Sequence, residues 1–260
     1  MNMNEQKHLL AQNFLLNVDS RVGLQTIPDN HVSLVLTDPP YGIADKEKVT
    51  KVKGKIVTTQ EAWGNDFQDS WNTIEEYYEW FKPFVAEFVR VLKEDGSMIL
   101  FLDRKYTGLI TYLLEKDFDL NFKGNLYFRK SNPLPHFRKN GYRSSIEEAI
   151  WFAKGKQYTF NFGEQKDMTQ CFDGSIGHGK YKNEDGFSHP TEKYKWMLEP
   201  LICNHTNPGD VVLDAFAGSG STLLYAREQD RKAIGFEKNP DFFNLAKARL
   251  QAAQLNFDFI

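Results

Sequence analysis

The chain has 260 residues, 41% of them hydrophobic, which is enough for one full α/β core and by length alone admits two small domains. A formal charge of −3 excludes an overall basic signature for nucleic acid, so any such contact must use local patches. Only Cys171 and Cys203 occur, far apart and without a CxxC pair, which excludes a disulfide framework and a zinc site, and no metal is expected. No signal-like amino terminus and no stretch of ~18 apolar residues is present, which predicts a soluble, cytoplasmic protein with no membrane partner.

The first predicted strand is Phe14 to Ser20, with Asp19 and Ser20 placed to cap a short helix over residues 21–27. Asp19 is read either as that cap alone or as a ligand group. A second, fully buried strand follows at His31 to Thr37, a β-branched apolar run that stops abruptly at Asp38-Pro39-Pro40-Tyr41. So short a crossover predicts a parallel pair, with Asp19 and Asp38 at the same edge of the sheet. Neither proline has a backbone N–H, and Pro40 biases Pro39 toward extended geometry. The turn is therefore stiff and leaves carbonyl oxygens unpaired at the carboxyl end of a strand, where open α/β sheets bind ligands. A carboxylate, stiff carbonyls and an aromatic ring together suit a flat group carrying an N–H2, such as an adenine edge. The plainer reading of the tetrapeptide by itself is a strand end with Asp38 as a cap.

Residues 42–70 show little periodicity, and the stretch 46–55 within them carries Lys46, Lys48, Lys51, Lys53 and Lys55 against the one acid Glu47. They are read as a solvated charge run or as a flexible basic flap that contacts phosphates. A helix from Ile74 to Lys93 is expected to kink or restart at Pro83 and to end at Asp95-Gly96. A strand at Ser97 to Asp103, a helix at Tyr106 to Lys116 and a strand at Asn121 to Arg129 complete a βαβα alternation, the pattern of a mainly parallel sheet with helices on both faces. Between Arg129 and Arg143 stand Arg129, Lys130, Arg138, Lys139 and Arg143 with no acid, interleaved with Asn132, His136, Phe137 and Tyr142. Bases stack on aromatics while cations meet phosphates, so the mixture suits nucleic acid, as it also suits a solvated loop. A strand at Glu147 to Ala153 follows, and residues 154–188 read as an inserted surface region of no assigned fold.

The strand Val211 to Asp214 leads into the small-residue run Ala215 to Thr222 and a helix over residues 223–229. Small residues allow close backbone approach, and the helix start offers free N–H groups. Leu223 stands where the third glycine of GxGxxG would be, which argues against NAD. The next strand, Lys232 to Phe236, ends at Glu237, positioned to accept both hydroxyls of a ribose, and a last helix covers Phe242 to Ala253.

The combination resembles the DNA amino-methyltransferases, which modify exocyclic N–H2 groups of bases using S-adenosylmethionine. The resemblance rests on Asp38-Pro39-Pro40-Tyr41, on Phe216-Ala217-Gly218-Ser219-Gly220 and on His189-Pro190-Thr191-Glu192-Lys193, spans residues 13–253, and has the motif order of the family's β class. It implies a doubly wound α/β fold with a mostly parallel, seven-stranded Rossmann-like sheet and circularly permuted motifs. One catalytic domain would cover residues 1–260, with DNA recognition within 129–188. Asp214, Phe216, Ala217, Gly218, Ser219, Gly220, Ser221 and Thr222 would surround the cofactor, Glu237 would hold its ribose, Asp19 would lie near its adenine, and Thr191 and Lys193 near its carboxylate. Tyr194 replaces the proline with which this element usually continues.

Asp38 in place of Ser favours adenine N6 over cytosine N4. The resemblance further implies site-specific methylation after base flipping, with Tyr41 stacked on the extruded base and Asp38 and the Pro39 carbonyl accepting the two N6 hydrogens. DNA contacts would come from Lys51, Lys53, Lys55, Arg129, Lys130, Arg138, Lys139 and Arg143. The implied partners are DNA and a restriction endonuclease acting on the same site, with the enzyme a monomer or homodimer. Alternatives are a cytosine-N4 enzyme, a non-catalytic DNA-binding protein that retains the cofactor pocket, and a small-molecule or RNA methyltransferase.

Overall fold

The computed structural model describes residues 13–40, 49–52, 55–58, 71, 73–136, 139–177 and 192–259. The chain enters on β1 (Phe14–Leu16), passes through α1 (Ser20–Leu24) and returns as β2 (Val32–Thr37), which is buried along its whole length. Within the segment expected as a flap, β3 (Val49–Val52) and β4 (Lys55–Thr58) pair as an antiparallel hairpin, and the rest of 42–70 lies outside the described residues.

Helix α2 (Ile74–Val91) runs unbroken through Pro83, so no second helix starts there. An interior proline costs about 3 kcal/mol, but α2 buries Tyr77, Phe81, Phe84 and Phe88, each worth roughly 1.5–3 kcal/mol, so packing outweighs the lost hydrogen bond. The helix also stops earlier than expected. Leu92 is extended and pairs with Val32, so β5 (Leu92–Leu102) starts at once, and Asp95-Gly96 lie in an irregular stretch of this strand, where the register steps from Val32↔Leu92 to Leu34↔Ser97. There follow α3 (Thr107–Asp117), β6 (Asn121–Lys130), β7 (Ile146–Ala153), β8 (Cys171–Gly174), α4 (Lys195–His205), β9 (Val211–Asp214), α5 (Ser221–Glu228), β10 (Lys232–Phe236), α6 (Pro240–Ala252) and β11 (Asp258–Phe259).

The main sheet has nine strands in the order β11-β1-β10-β9-β2-β5-β7-β6-β8. All its pairings are parallel except those of β7, which opposes both β5 and β6. The fold is thus the expected doubly wound α/β class, with two departures. Seven strands become nine because β8 and β11 are added at the two edges. They are four and two residues long and only partly buried, too short and too polar to stand out as strands. The expected β1–β2 pair is parallel but not adjacent, because the apolar strands β10 and β9 lie between them and occupy the sheet centre, where burial on both faces demands such sequences.

Alternation along the strands divides the core. Val35, Met98 and Leu100 face one layer with Leu24, Phe81, Phe88 and Ile110, from α1, α2 and α3. Leu34, Leu36, Ile99 and Phe101 face the other with Met197, Leu201, Leu223 and Leu250, from α4, α5 and α6. Since β7 is reversed, its first residues share an edge with the last residues of β2, β9 and β10.

Candidate active site

Two groups of sequence-predicted residues meet at this carboxyl edge. Strands β2 and β9 pair through Leu34↔Val212 and Val35↔Leu213, and at their ends the Thr37 hydroxyl donates to Asp214 Oδ1 at 2.7 Å. Asp214 also accepts the Phe216 amide at 3.1 Å; burial nevertheless raises its pKa. The loop after it turns tightly, with Ala217 N donating to Phe236 O at 2.9 Å and Gly220 N to Ala217 O at 2.8 Å. Gly218 and Gly220 hold φ of 52° and 73°, a region that penalises other residues by roughly 1 kcal/mol, and a Cβ on Gly220 would stand 3.0 Å from Ala246 Cβ on α6.

Glu237, at the tip of β10, accepts Gly218 N at 2.8 Å on Oε2 and Asn239 N at 2.7 Å on Oε1. Burial pushes its pKa up to about 7 despite these amides. Asp19 is the N-cap of α1 and pairs with Arg21, whose hydrogen bonds hold the carboxyl below the usual carboxylate range. Beside it, the Ser20 hydroxyl donates to the Ala215 carbonyl and so fastens α1 to the loop. Phe216 rests against Phe84 at 5.3 Å and Trp80 at 6.2 Å, ring to ring. Ser219, Ser221 and Thr222 are buried, and the first two turn their hydroxyls to Arg249 Nη1 at 3.3 and 2.9 Å. Arg249, on α6, also pairs with Glu192 at 2.9 Å in a fully buried bridge that sequence reading missed. Its helical neighbours Leu245 and Leu250 were the available signal, since they place this face inward.

The second group surrounds Asp38. Oδ2 accepts from Lys193 Nζ at 2.5 Å, and the same ammonium lies 3.3 Å from Glu147 Oε2 and 4.9 Å from the centre of the Phe101 ring. Glu147 Oε1 in turn meets Lys130 Nζ at 2.8 Å. Asp38 Oδ1 is buried and has no hydrogen-bond partner among the described residues. Burial pushes the Asp38 carboxyl up to about 6; Lys193 opposes this, and the negative Glu147 and Asp214 add to it. At Glu147 burial also acts upward, but the ammonium groups of Lys193 and Lys130 prevail and bring it to about 2. Pro39 is buried and Pro40 half-buried, while Tyr41 and Thr191 lie outside the described residues.

Lys193, expected beside a cofactor carboxylate, here bridges Asp38 and Glu147. Lys130 departs from its reading as a phosphate contact: its side chain is only 16% exposed and is committed to Glu147. Arg129 is exposed and pairs with Asp173 of β8, and Lys139 and Arg143 are exposed on the β6–β7 loop at the same edge. Lys51 and Lys55 belong to the hairpin, and Lys53 and Arg138 lie outside the described residues.

This arrangement has known counterparts. Residues 32–248 match the DNA methylase family that contains the N6 and N4 enzymes. The chain belongs to the N6/N4 DNA methylase family. It is 27% identical to the Type II methyltransferase M.HinfI of Haemophilus influenzae over 94% of this chain and 70% of that protein. It is 28% identical to the Type II methyltransferase M.HpaI of Haemophilus parainfluenzae over 91% and 74% of the two chains. The same fold occurs in the cytosine-N4-specific PvuII DNA methyltransferase, at a TM-score of 0.74 and 21% identity over 92% of this chain and 88% of that one. It occurs also in the M1.HpyAVI–SAM complex, at 0.67 and 24% over 91% and 98%.

This DNA methylase is a methyltransferase whose methyl donor is S-adenosylmethionine. The residues at its edge fit that group. Glu237 offers a carboxyl to which a ribose diol can donate, Gly218 and Gly220 leave the loop backbone open to close approach, and the buried Asp214 stands at the start of the same loop. Among the described residues no helix is long and apolar enough to cross a membrane.

Proposed function

We propose that this methylase modifies the exocyclic N6 of adenine at a specific DNA site, after the base has been turned out of the duplex. The observation that carries this reading is the asymmetry of Asp38: one carboxylate oxygen is committed to Lys193, and the other has no hydrogen-bond partner among the described residues. An N6 amino group has two hydrogens to donate. Asp38 Oδ1 and the Pro39 carbonyl would accept them, drawing the nitrogen lone pair out of conjugation with the ring. Exocyclic N6 is a poor nucleophile, so acceptors fixed in advance stabilise the positive charge that grows on it. Alignment of nitrogen and methyl lowers the barrier further.

The cofactor supplies an electrophilic methyl on sulfur. That methyl would be taken up by N6 with the donor leaving as a neutral thioether, and Asp38 would accept the N6 proton released and pass it to water. Glu237 and the 216–222 loop orient the donor, and Tyr41 stacks on the flipped base, which lowers the few-kcal/mol penalty of extrusion. The exposed cations of the β6–β7 loop meet phosphates and, with residues up to 188, form the recognition region. That both curated relatives are Type II methyltransferases supports a companion endonuclease sharing the site.

The test is incubation with unmethylated genomic DNA and methyl-labelled S-adenosylmethionine, digestion to nucleosides and mass spectrometry. Labelled N6-methyladenine is the expected product. Labelled N4-methylcytosine would overturn the choice of base and keep the mechanism, and absence of label with cofactor bound would favour a binding-only protein.

A further inference from the structure

Asp38, Lys193, Glu147 and Lys130 form a line of alternating charges with contacts of 2.5, 3.3 and 2.8 Å. The four come from three separate places in the fold. Asp38 follows β2, Lys193 precedes α4, and Lys130 and Glu147 end and begin the paired strands β6 and β7. Only the reversed direction of β7 brings Glu147 to this edge. A lysine has three donors on a flexible stem, so alone beside Asp38 it could straddle both oxygens. Glu147 takes part of that ammonium for itself, and Lys130 fixes Glu147.

We propose that Glu147 is a positioning residue, which with Lys130 holds Lys193 on Oδ2 of Asp38 and so keeps Oδ1 free to accept a hydrogen from the target base. This rests on the adenine-N6 reading only for the identity of that base. Among the described residues, the charged groups that act on Asp38 are Lys193 from the segment before α4, Glu147 from β7 and Asp214 from β9. Their signs make a specific pattern. Removing the Glu147 charge takes away a repulsion and releases Lys193 wholly to Asp38, so the Asp38 carboxyl titrates lower. Removing the Lys193 charge takes away the attraction, and the carboxyl titrates higher.

Two readouts test this. The first is the acid limb of single-turnover methyl transfer at saturating cofactor. The second is the 13C carboxyl titration of Asp38, assigned from its loss in Asp38→Asn, which needs neither DNA nor cofactor. Glu147→Gln is expected to move both to lower pH by about 1 unit, and Lys193→Met to move both higher by about 1–3 units. Lys193→Arg, which keeps the charge, is expected to stay near wild type. Glu147→Gln should also slow turnover about tenfold at its optimum, because Lys193 then competes for Oδ1. Shifts in the same direction for the two neutral variants, or no shift in Glu147→Gln, would overturn the proposal. If Glu147→Gln does not fold, Lys130→Met replaces it: Glu147 then draws Lys193 away and Asp38 should titrate higher, and an unmoved titration would overturn the proposal. Failure of the wild-type protein to label adenine would count against the function alone, since the carboxyl titration still reports on the network.

Discussion

The hydroxyl of Thr37 donates to Asp214 at 2.7 Å, tying the last residue before the Asp-Pro-Pro-Tyr motif to the last residue before the glycine loop. The two motifs are remote in sequence, and this bond between buried side chains fixes their relative height at the sheet edge. Thr37→Val keeps the shape and removes the donor. It is expected to lower stability by about 1–3 kcal/mol in urea denaturation and to reduce turnover more than cofactor affinity, since it shifts one motif against the other.

Asp38→Asn should lower the rate of methyl transfer about 100-fold or more while calorimetry shows cofactor binding unchanged. In the wild type, transfer should fall as pH drops through about 6, because the carboxylate is the acceptor and burial has raised its pKa to that value. An acid limb near the ordinary aspartate range would contradict the role.

Glu237 makes the opposite statement about stability. Its folded pKa of about 7 stands above the ordinary 4.5, so the protonated form favours folding. That contribution is complete below pH 4.5 and is lost as pH rises through about 7. The wild type should lose about 1–3 kcal/mol of this contribution between pH ~4 and pH ~8, and Glu237→Gln, whose amide nitrogen sets a donor against one of the two backbone N–H groups, should lack that pH dependence and bind the cofactor at least tenfold more weakly. Unfolding at both pH values, with calorimetry, checks all three.

Arg249→Met breaks the buried bridge to Glu192 and the contacts to Ser219 and Ser221. Loss of one member of such a pair costs about 3–5 kcal/mol, and pairing it with Glu192→Gln should restore part of that loss. Urea midpoints of the single and double variants supply the comparison.

Arg143→Ala should weaken DNA binding and flatten its dependence on salt, with a slope in log–log form smaller by about 1, and leave cofactor affinity unchanged. Fluorescence anisotropy at a series of salt concentrations measures the slope, and an unchanged slope would remove Arg143 from the DNA contacts.

Much of the frame could be read from the residues because its strands are of the fully buried kind. β2, β9 and β10 are short apolar runs closed by prolines, glycines or acids, and such runs have few other uses. Boundaries were harder where helix and strand adjoin with no breaker between them, as at Val91 and Leu92. Sheet order is a property of pairing and not of chain order, so nothing in residues 14–37 reveals that β9 and β10 will separate β1 from β2. The same distinction holds at the site. Asp38 and Glu237 announce themselves at strand ends, whereas Glu147 reads as an ordinary strand residue until the reversal of β7 sets it against Lys193. Arg249 reads as a helix-surface cation until its face is seen to be buried.

The short outer strands have a consequence for the behaviour of the protein in concentrated solution. β6 is ten residues long and would end the sheet with an extended row of unpaired amides and carbonyls, a template on which another chain could add a strand. β8 covers Tyr127 to Lys130, and β11 in the same way covers Phe14 and Leu15 at the far side. The sheet thus finishes at both margins in strands of four and two residues, brief edges that resist the addition of another chain along the stretches they cover.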